Sequence, residues 1–163
     1  MSICHRDRRQ PTLGNTERAF LDELAAHGIV TGDYNLPDWE NSPEGFTTLL
    51  KGLFRHTPPT ALIVDEIPWA ISAAQFLGQN GIRIPTDVSL ISSEYDVSLA
   101  WCHPPVAHIR WDSELIIRRI VRWVDAVRKG RADLRTINFP AVFVPADSIG
   151  PVPKEGPSKP EWI

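Results

Sequence analysis

The sequence predicts an α/β fold, a three-layer parallel sheet with helices on both faces, and three observations predict it. Residues 60–64, Thr-Ala-Leu-Ile-Val, form a nearly uninterrupted apolar run after Pro58-Pro59, the pattern of a strand buried within a parallel sheet. A helical stretch follows, with Ala70, Ala73, Ala74 and Leu77 at helical spacing, and after it comes a second short run, Val88-Ser89-Leu90-Ile91. Strand, helix, strand in that order implies a crossover connection, which parallel strands require.

The remaining elements follow in chain order. Asn15 as N-cap, Glu17, an apolar face of Phe20, Leu21 and Leu24, and Gly28 with Ile29 at the end predict a first helix of about three turns. Ser42 as N-cap, Pro43 at the first helical position and Phe46, Leu49, Leu50, Leu53 and Phe54 on one face predict a second. Pro68 opens the third, which ends at Gly81. Pro104-Pro105 marks a break, residues 106–110 fit a short strand, and Asp112 caps a long helix that stops at Gly130. That helix carries Leu115, Ile116, Ile120, Val121, Val124 and Val127 around much of its circumference, and Trp123 on it reads as packing. Residues 136–139 and 141–144 read as extended, and the proline-rich stretch from Gly150 reads as loose.

With 163 residues, 42% of them hydrophobic and 23% charged, the chain can bury one sizeable core and is expected to form one domain. A net charge of −3 gives no general attraction to phosphate backbones. Its basic clusters, Arg6, Arg8 and Arg9 and later Arg118, Arg119 and Arg122, are short and interleaved with other residues, as on a solvated surface. Cys4 and Cys102 match no metal-ligand spacing and read as free thiols in a reducing compartment. No apolar stretch has the length of a signal or a membrane span, so the expected location is the cytoplasm, without membrane contact.

In open parallel sheets ligands bind beyond the carboxyl ends of the strands, and acids follow both apolar runs there: Asp65-Glu66 after the first, Glu94 after the second. For Asp65 a capping role weighs as much as a ligand role; Glu66 and Glu94 are the acids assigned to a ligand. Trp39, Trp69, Tyr95 and Trp111 gather in the same loops. Carboxylates accept hydroxyl hydrogen bonds and flat rings cover apolar sugar faces, so the combination suits a polyhydroxylated ligand. Enzyme signatures are missing: there is no Gly-x-Gly-x-x-Gly, phosphate loop, Gly-x-Ser-x-Gly or His-Glu-x-x-His. The five histidines fall singly on different elements, although His103 and His108 could meet, and no metal or other cofactor is expected. A phosphate-accepting receiver domain would need a lysine beyond a late strand, and Lys51, Lys129, Lys154 and Lys159 are not so placed.

The order of segments resembles the C-terminal half of the lac-repressor family of transcription regulators, whose sensor is a two-lobed fold like that of periplasmic sugar-binding proteins. Arg18-Ala19-Phe20-Leu21-Asp22-Glu23-Leu24 with Gly28-Ile29 resembles the first helix of the family's second lobe. Pro59-Thr60-Ala61-Leu62-Ile63-Val64 resembles the strand before its Ala-Asn-Asp motif, and Gly81-Ile82-Arg83-Ile84-Pro85-Thr86-Asp87-Val88-Ser89-Leu90-Ile91 is the most telling match. Pro104-Pro105-Val106 and Ser148-Ile149-Gly150-Pro151 also fit.

The resemblance implies that residues 3–150 are an effector-binding domain, the second lobe with part of the first, followed by a disordered tail over 151–163. It implies a ligand set of Thr16, Trp39, Glu66, Glu94 and Trp111. Glu66-Ile67 stands where the family has Asn-Asp, and Ser92-Ser93-Glu94-Tyr95 where it has Gly-Tyr/Phe-Asp-Asp. Thr16 aligns with the effector-binding arginine, with Arg8, Arg9 and Arg18 as substitutes, and Trp39 aligns with the stacking aromatic. Ile71, Ala74, Gln75, Leu99 and Trp101 match the family's dimer face. The expected protein is therefore a sugar-sensing, homodimerising module of a transcription regulator and not an enzyme. It would meet DNA only through an N-terminal helix-turn-helix that this sequence lacks. The alternative is a cytoplasmic α/β binding or scaffold domain that senses nothing.

Overall fold

The structure, a computed structural model, describes residues 1–4 and 13–153. Five strands form one sheet in the order β1 (Ser2–Cys4), β2 (Ala61–Val64), β3 (Ser89–Ser92), β4 (Ala107–Trp111) and β5 (Ala141–Val144). The first three pairings are parallel and the last is antiparallel. The mixed α/β fold expected from the apolar runs is the fold found. Helices α1 (Asn15–Ala26), α2 (Pro43–His56), α3 (Ile67–Gln79) and α4 (Ser113–Arg128) supply the connections.

Alternation along the strands decides where the core lies. Leu62 and Val64 of β2 are fully buried, whereas Ala61 and Ile63, which alternate with them, are half-buried, so one face of the sheet is sealed and the other partly covered. The sealed face meets Phe46, Leu50, Leu53 and Phe54 of α2 and Ala70, Ala73, Phe76 and Leu77 of α3 in one cluster, which Leu90, Leu99 and Val106 complete. The clean stripe on α2 is thus a core stripe, set at 3.6-residue spacing.

Helix ends follow their local chemistry. Ser42 Oγ accepts from Gly45 N at 2.9 Å with Pro43 in the first turn, and Asp112 accepts from Glu114 N and Leu115 N. Gly28, Gly81 and Gly130 sit at φ near +70°, and the next residue's N–H returns to the helix in each case, as Ile82 N does to Leu77 O at 2.9 Å. At the start of α1 the expected cap is corrected. Gly14 is the N-cap, its N–H held by the Glu17 carboxylate, while Asn15 lies inside the helix and accepts from Arg18. Residues 136–139, expected to be extended, form no strand; the fourth strand begins at Ala107, and β5 falls where 141–144 was read. Expectations for Arg6, Arg8, Arg9 and the tail beyond residue 153 lie outside the described residues.

Strands β3 and β4 share only the pairs Ile91 with Ala107 and Ser92 with His108. The gap below these pairs is closed by a segment from far along the chain. Ser148, fully buried, donates its hydroxyl to Leu90 O at 2.6 Å and accepts from Ala107 N at 2.8 Å. Its backbone adds bonds from Leu90 N to Ser148 O at 3.0 Å and from Ser148 N to Pro105 O at 3.1 Å. Below it the loop before β3 is locked by Asp87, 3% exposed, which accepts from Arg83 N, Nε and Nη2 at 2.8 to 2.9 Å. Replacing Ser148 by Ala strands a buried backbone carbonyl and a buried N–H at once. The variant is expected to lose about 1–3 kcal/mol of unfolding free energy in a denaturant titration. An unchanged midpoint would show that the strands close without it.

Candidate ligand edge

Register brings the ends of β1, β2, β3 and β4 to one rim: Cys4 pairs with Val64, Val64 with Ser92, and Ser92 with His108. Beyond that level the backbone ladder runs one residue further, with Asp65 N bonded to Cys4 O at 3.2 Å and Ser93 N to Val64 O at 2.9 Å. Ser93 Oγ donates to Asp65 Oδ1 at 2.5 Å and joins the two loops that carry the acids.

Glu66 and Glu94 are brought together at this rim. Glu66 occupies the N-cap position of α3, and the Glu94 carboxylate accepts from the backbone N–H of Ile67, the first residue of that helix. Partial burial pushes the Glu94 carboxyl above the usual range, and the negative charges of Asp65 and Glu66 push it the same way; the Ile67 N–H opposes both. The site holds acids at a helix N-terminus whose dipole favours them, at a mutual repulsion that falls on Glu94.

Trp39 stands close to this rim through Trp69. The Trp39 ring meets Trp69 edge-on with centroids 4.7 Å apart, and Phe46 at 5.0 Å. Trp69 is three residues past Glu66, in the first turn of α3, so the aromatic group and the acids share one helix end. Gly45 permits this arrangement. A Cβ there would lie 2.1 Å from Glu40 O, so only glycine lets the Trp39 loop cross the start of α2 so closely. Shallow cavities of about 320 Å³, beside Trp39 and Glu44, and about 210 Å³, between Ser42 and Trp69, flank the aromatic group.

Thr16 and Trp111 are not gathered with these residues. Thr16 is exposed on the first turn of α1, and Trp111, half exposed, lies three residues along β4 from His108, roughly 10 Å at strand rise. The sequence reading missed a neighbour that the structure supplies: His108 stacks on Tyr95, centroids 4.9 Å apart, next to Glu94. Its position at the end of an apolar strand level with Ser92 was the available signal. His108 thus pairs with a ring, and His103 contacts the Trp101 carbonyl instead.

On the surface assigned to pairing, Ile71 and Ala74 are half-buried on α3, Gln75 is exposed, and Trp101 is 79% exposed. Leu99 is corrected: at 1% exposed it belongs to the protomer's own core and offers no side chain to a partner. A further cavity, of about 580 Å³, lies among Lys51, Arg55, His56 and Asn80 at the C-terminal ends of α2 and α3.

Fold and rim together define the class, an α/β domain of the kind that binds small molecules beyond the carboxyl ends of a parallel sheet. The periplasmic binding protein-like domain family matches residues 1–149, and the chain belongs to that family, one of binding domains rather than enzymes. Among solved structures, a LacI-family transcriptional regulator from Bifidobacterium animalis subsp. lactis aligns over 93% of this chain and 55% of its own, with a TM-score of 0.77 and 21% identity. A LacI-family sugar-binding transcriptional regulator from Escherichia coli, solved with phosphate, aligns over 92% and 55%, with a TM-score of 0.74 and 21% identity. The regulator CelR in its cellobiose complex aligns over 90% and 46%, with a TM-score of 0.73 and 17% identity. The chain therefore spans about half the length of the solved chains it resembles, and at these identities the likeness is one of fold. A comparison with curated proteins finds no match. Among the described residues, no helix is long and apolar enough to cross a membrane.

The raised Glu94 carboxyl has a definite sign in stability. The folded state holds this proton more tightly than the unfolded chain does, so stability falls as pH rises from the unfolded value through the folded one. At neutral pH the ionised group is a net cost. Glu94→Gln, which keeps an acceptor for Ile67 N, is expected to raise the thermal midpoint at pH 7, and the gain should shrink as the buffer is made acidic enough to protonate Glu94. A lower midpoint at pH 7 would contradict the repulsion described.

Proposed function

We propose that this domain is the effector-sensing part of a cytoplasmic transcription regulator and that its effector is a neutral polyhydroxylated molecule, a saccharide above all. The observation that carries this reading is the meeting of Glu66 and Glu94, with Asp65 beside them, at the same helix end as the Trp39 and Trp69 rings. Hydroxyl groups donate to carboxylates, and the apolar face of a pyranose covers an indole. An anionic effector would meet three like charges here, which argues for a neutral ligand over a phosphate. Two of the solved neighbours support the class: the E. coli regulator is described as sugar-binding, and CelR holds cellobiose.

In this reading Trp39 stacks on the sugar, and Glu66 and Glu94 accept its hydroxyls. The domain forms a homodimer through Ile71, Ala74, Gln75 and Trp101, since an indole 79% exposed is a site for a partner rather than for water. Specific DNA contact is left to a helix-turn-helix elsewhere in the regulator, because the chain's net charge of −3 and its short basic clusters give no reading surface.

Isothermal calorimetry with cellobiose and a panel of mono- and disaccharides tests the reading. One of them is expected to bind, and Trp39→Ala should weaken that binding roughly tenfold or more, the usual cost of truncating a packed contact aromatic. Glu94→Gln should weaken it too, which together with its raised thermal midpoint would mark a group kept for binding at the expense of stability. Absence of binding across the panel would leave the domain as a binding or scaffold module without sensing.

A further inference from the structure

One side of α2 carries two choices that weaken it as a helix. Gly52 stands within it without a positive φ, and a Cβ built there would meet nothing within 4 Å, so neither backbone conformation nor close packing calls for glycine. Glycine inside a helix is destabilising relative to alanine. Lys51 and Arg55 beside it, both exposed, are like charges four residues apart on neighbouring turns, and they repel. The helix dipole accounts for Arg55 and His56 in the last turn, but for neither Gly52 nor Lys51, which stands a turn before Arg55.

Both choices open onto the cavity of about 580 Å³. Thr48, Lys51, Gly52 and Arg55 line it from an arc of about 100° on α2, and His56 and Asn80 complete it. No acid lines this cavity, in a chain whose net charge is −3. Among the described residues Lys51, Arg55 and His56 form no ion pair and no side-chain hydrogen bond. Its neutral groups are tethered instead: Thr48 Oγ1 donates to Glu44 O at 2.8 Å and Asn80 Nδ2 to Phe76 O at 2.7 Å. The volume falls within the roughly 300–1,000 Å³ of small-molecule sites, and a bare phosphate would leave most of it empty. From Glu66 to Asn80 about 20 Å of helix separates it from the rim, whose acids carry the opposite sign.

We infer that this cavity binds a small organic phosphate ester, at a site independent of the rim and of the reading given to it. Arg55 takes two phosphate oxygens through its planar fork, and Lys51 adds a point charge. An anion held by both turns their repulsion into a shared attraction. The organic body lies over Gly52 and against the methylene stems of Lys51 and Arg55, in the space that a larger side chain at 52 would take.

Backbone amide spectra of the full ¹⁵N-labelled chain, titrated with phenyl phosphate and ribose 5-phosphate, test this, with inorganic phosphate and ribose as controls. At least one ester is expected to bind roughly tenfold or more tighter than inorganic phosphate, moving the signals of Gly52 and Asn80 and leaving those of Glu66 and Glu94 in place. Gly52→Leu keeps every charge but fills the cavity. It should weaken binding roughly tenfold or more while raising the thermal midpoint, since leucine is the better helix former. Lys51→Gln with Arg55→Gln should weaken binding as much without lowering the midpoint, because both side chains are exposed. Neither variant should alter saccharide binding at the rim, so the two readings fail separately. Vesicles of phosphatidylcholine and phosphatidic acid should leave the chain in the supernatant. Four results would each overturn the inference: no binding of either ester at millimolar concentration, equal affinity for inorganic phosphate, full affinity in Gly52→Leu, or sedimentation with the vesicles, which would assign the phosphate to a lipid headgroup.

Discussion

In a parallel sheet each strand must be carried back to the same edge before the next begins, so loops leaving the carboxyl ends, and the helix starts that follow them, converge on one rim. Here Cys4, Val64, Ser92 and His108 lie level across four strands, and the chain spends that convergence on acids and rings. The packing beneath serves this arrangement. Helices α2 and α3 bury their stripes against the sealed face of the sheet, and their first turns bring Gly45 beneath the Trp39 loop and Glu66 beside Glu94. Because β3 and β4 pair at only two positions, the rim also depends on Ser148, which threads between them from the far end of the domain.

The cost of that rim falls on identifiable groups. Partial burial and the negative charges of Asp65 and Glu66 push the Glu94 carboxyl up, and the Ile67 N–H at the start of α3 offsets only part of this. A fold under no other demand would place neutral residues there, as an amide at Glu94 would accept from Ile67 without the charge. Cys4, by contrast, is a purely structural thiol: burial pushes it up to about 12, so it packs as a small apolar group.

How far the sequence announced this depended on how local each signal was. Helix stops at Gly28, Gly81 and Gly130 and the start at Ser42-Pro43 were legible because backbone conformation and capping act within a few residues. Asn15 misled for the same reason: it is a good cap, but Glu17 reaches back to Gly14 and makes the preceding residue the cap. Strand β1 has three residues, too few for any periodicity, and takes its place from pairing with β2, 60 residues further along the chain, as Ser2 with Leu62. Leu99 looked like surface beside Trp101, yet a short helix turn sends it into the core while Trp101 points out. At the rim, the acids could be read from their position after apolar runs. The Tyr95–His108 stack could not, because it depends on β4 lying next to β3 rather than elsewhere in the sheet.

The central claim is that a saccharide lies against Trp39 and the acids beside it, and the side-chain indole N–H signals of the six tryptophans offer a direct reading of it. Titrating a bound saccharide into ¹⁵N-labelled chain, with signals assigned by single substitution, should move Trp39 and its edge-on neighbour Trp69 furthest and together. Trp101 and Trp123, away from the rim, should stay in place. Large shifts at Trp101 or Trp123 with Trp39 unmoved would contradict the account and put the ligand elsewhere on the domain.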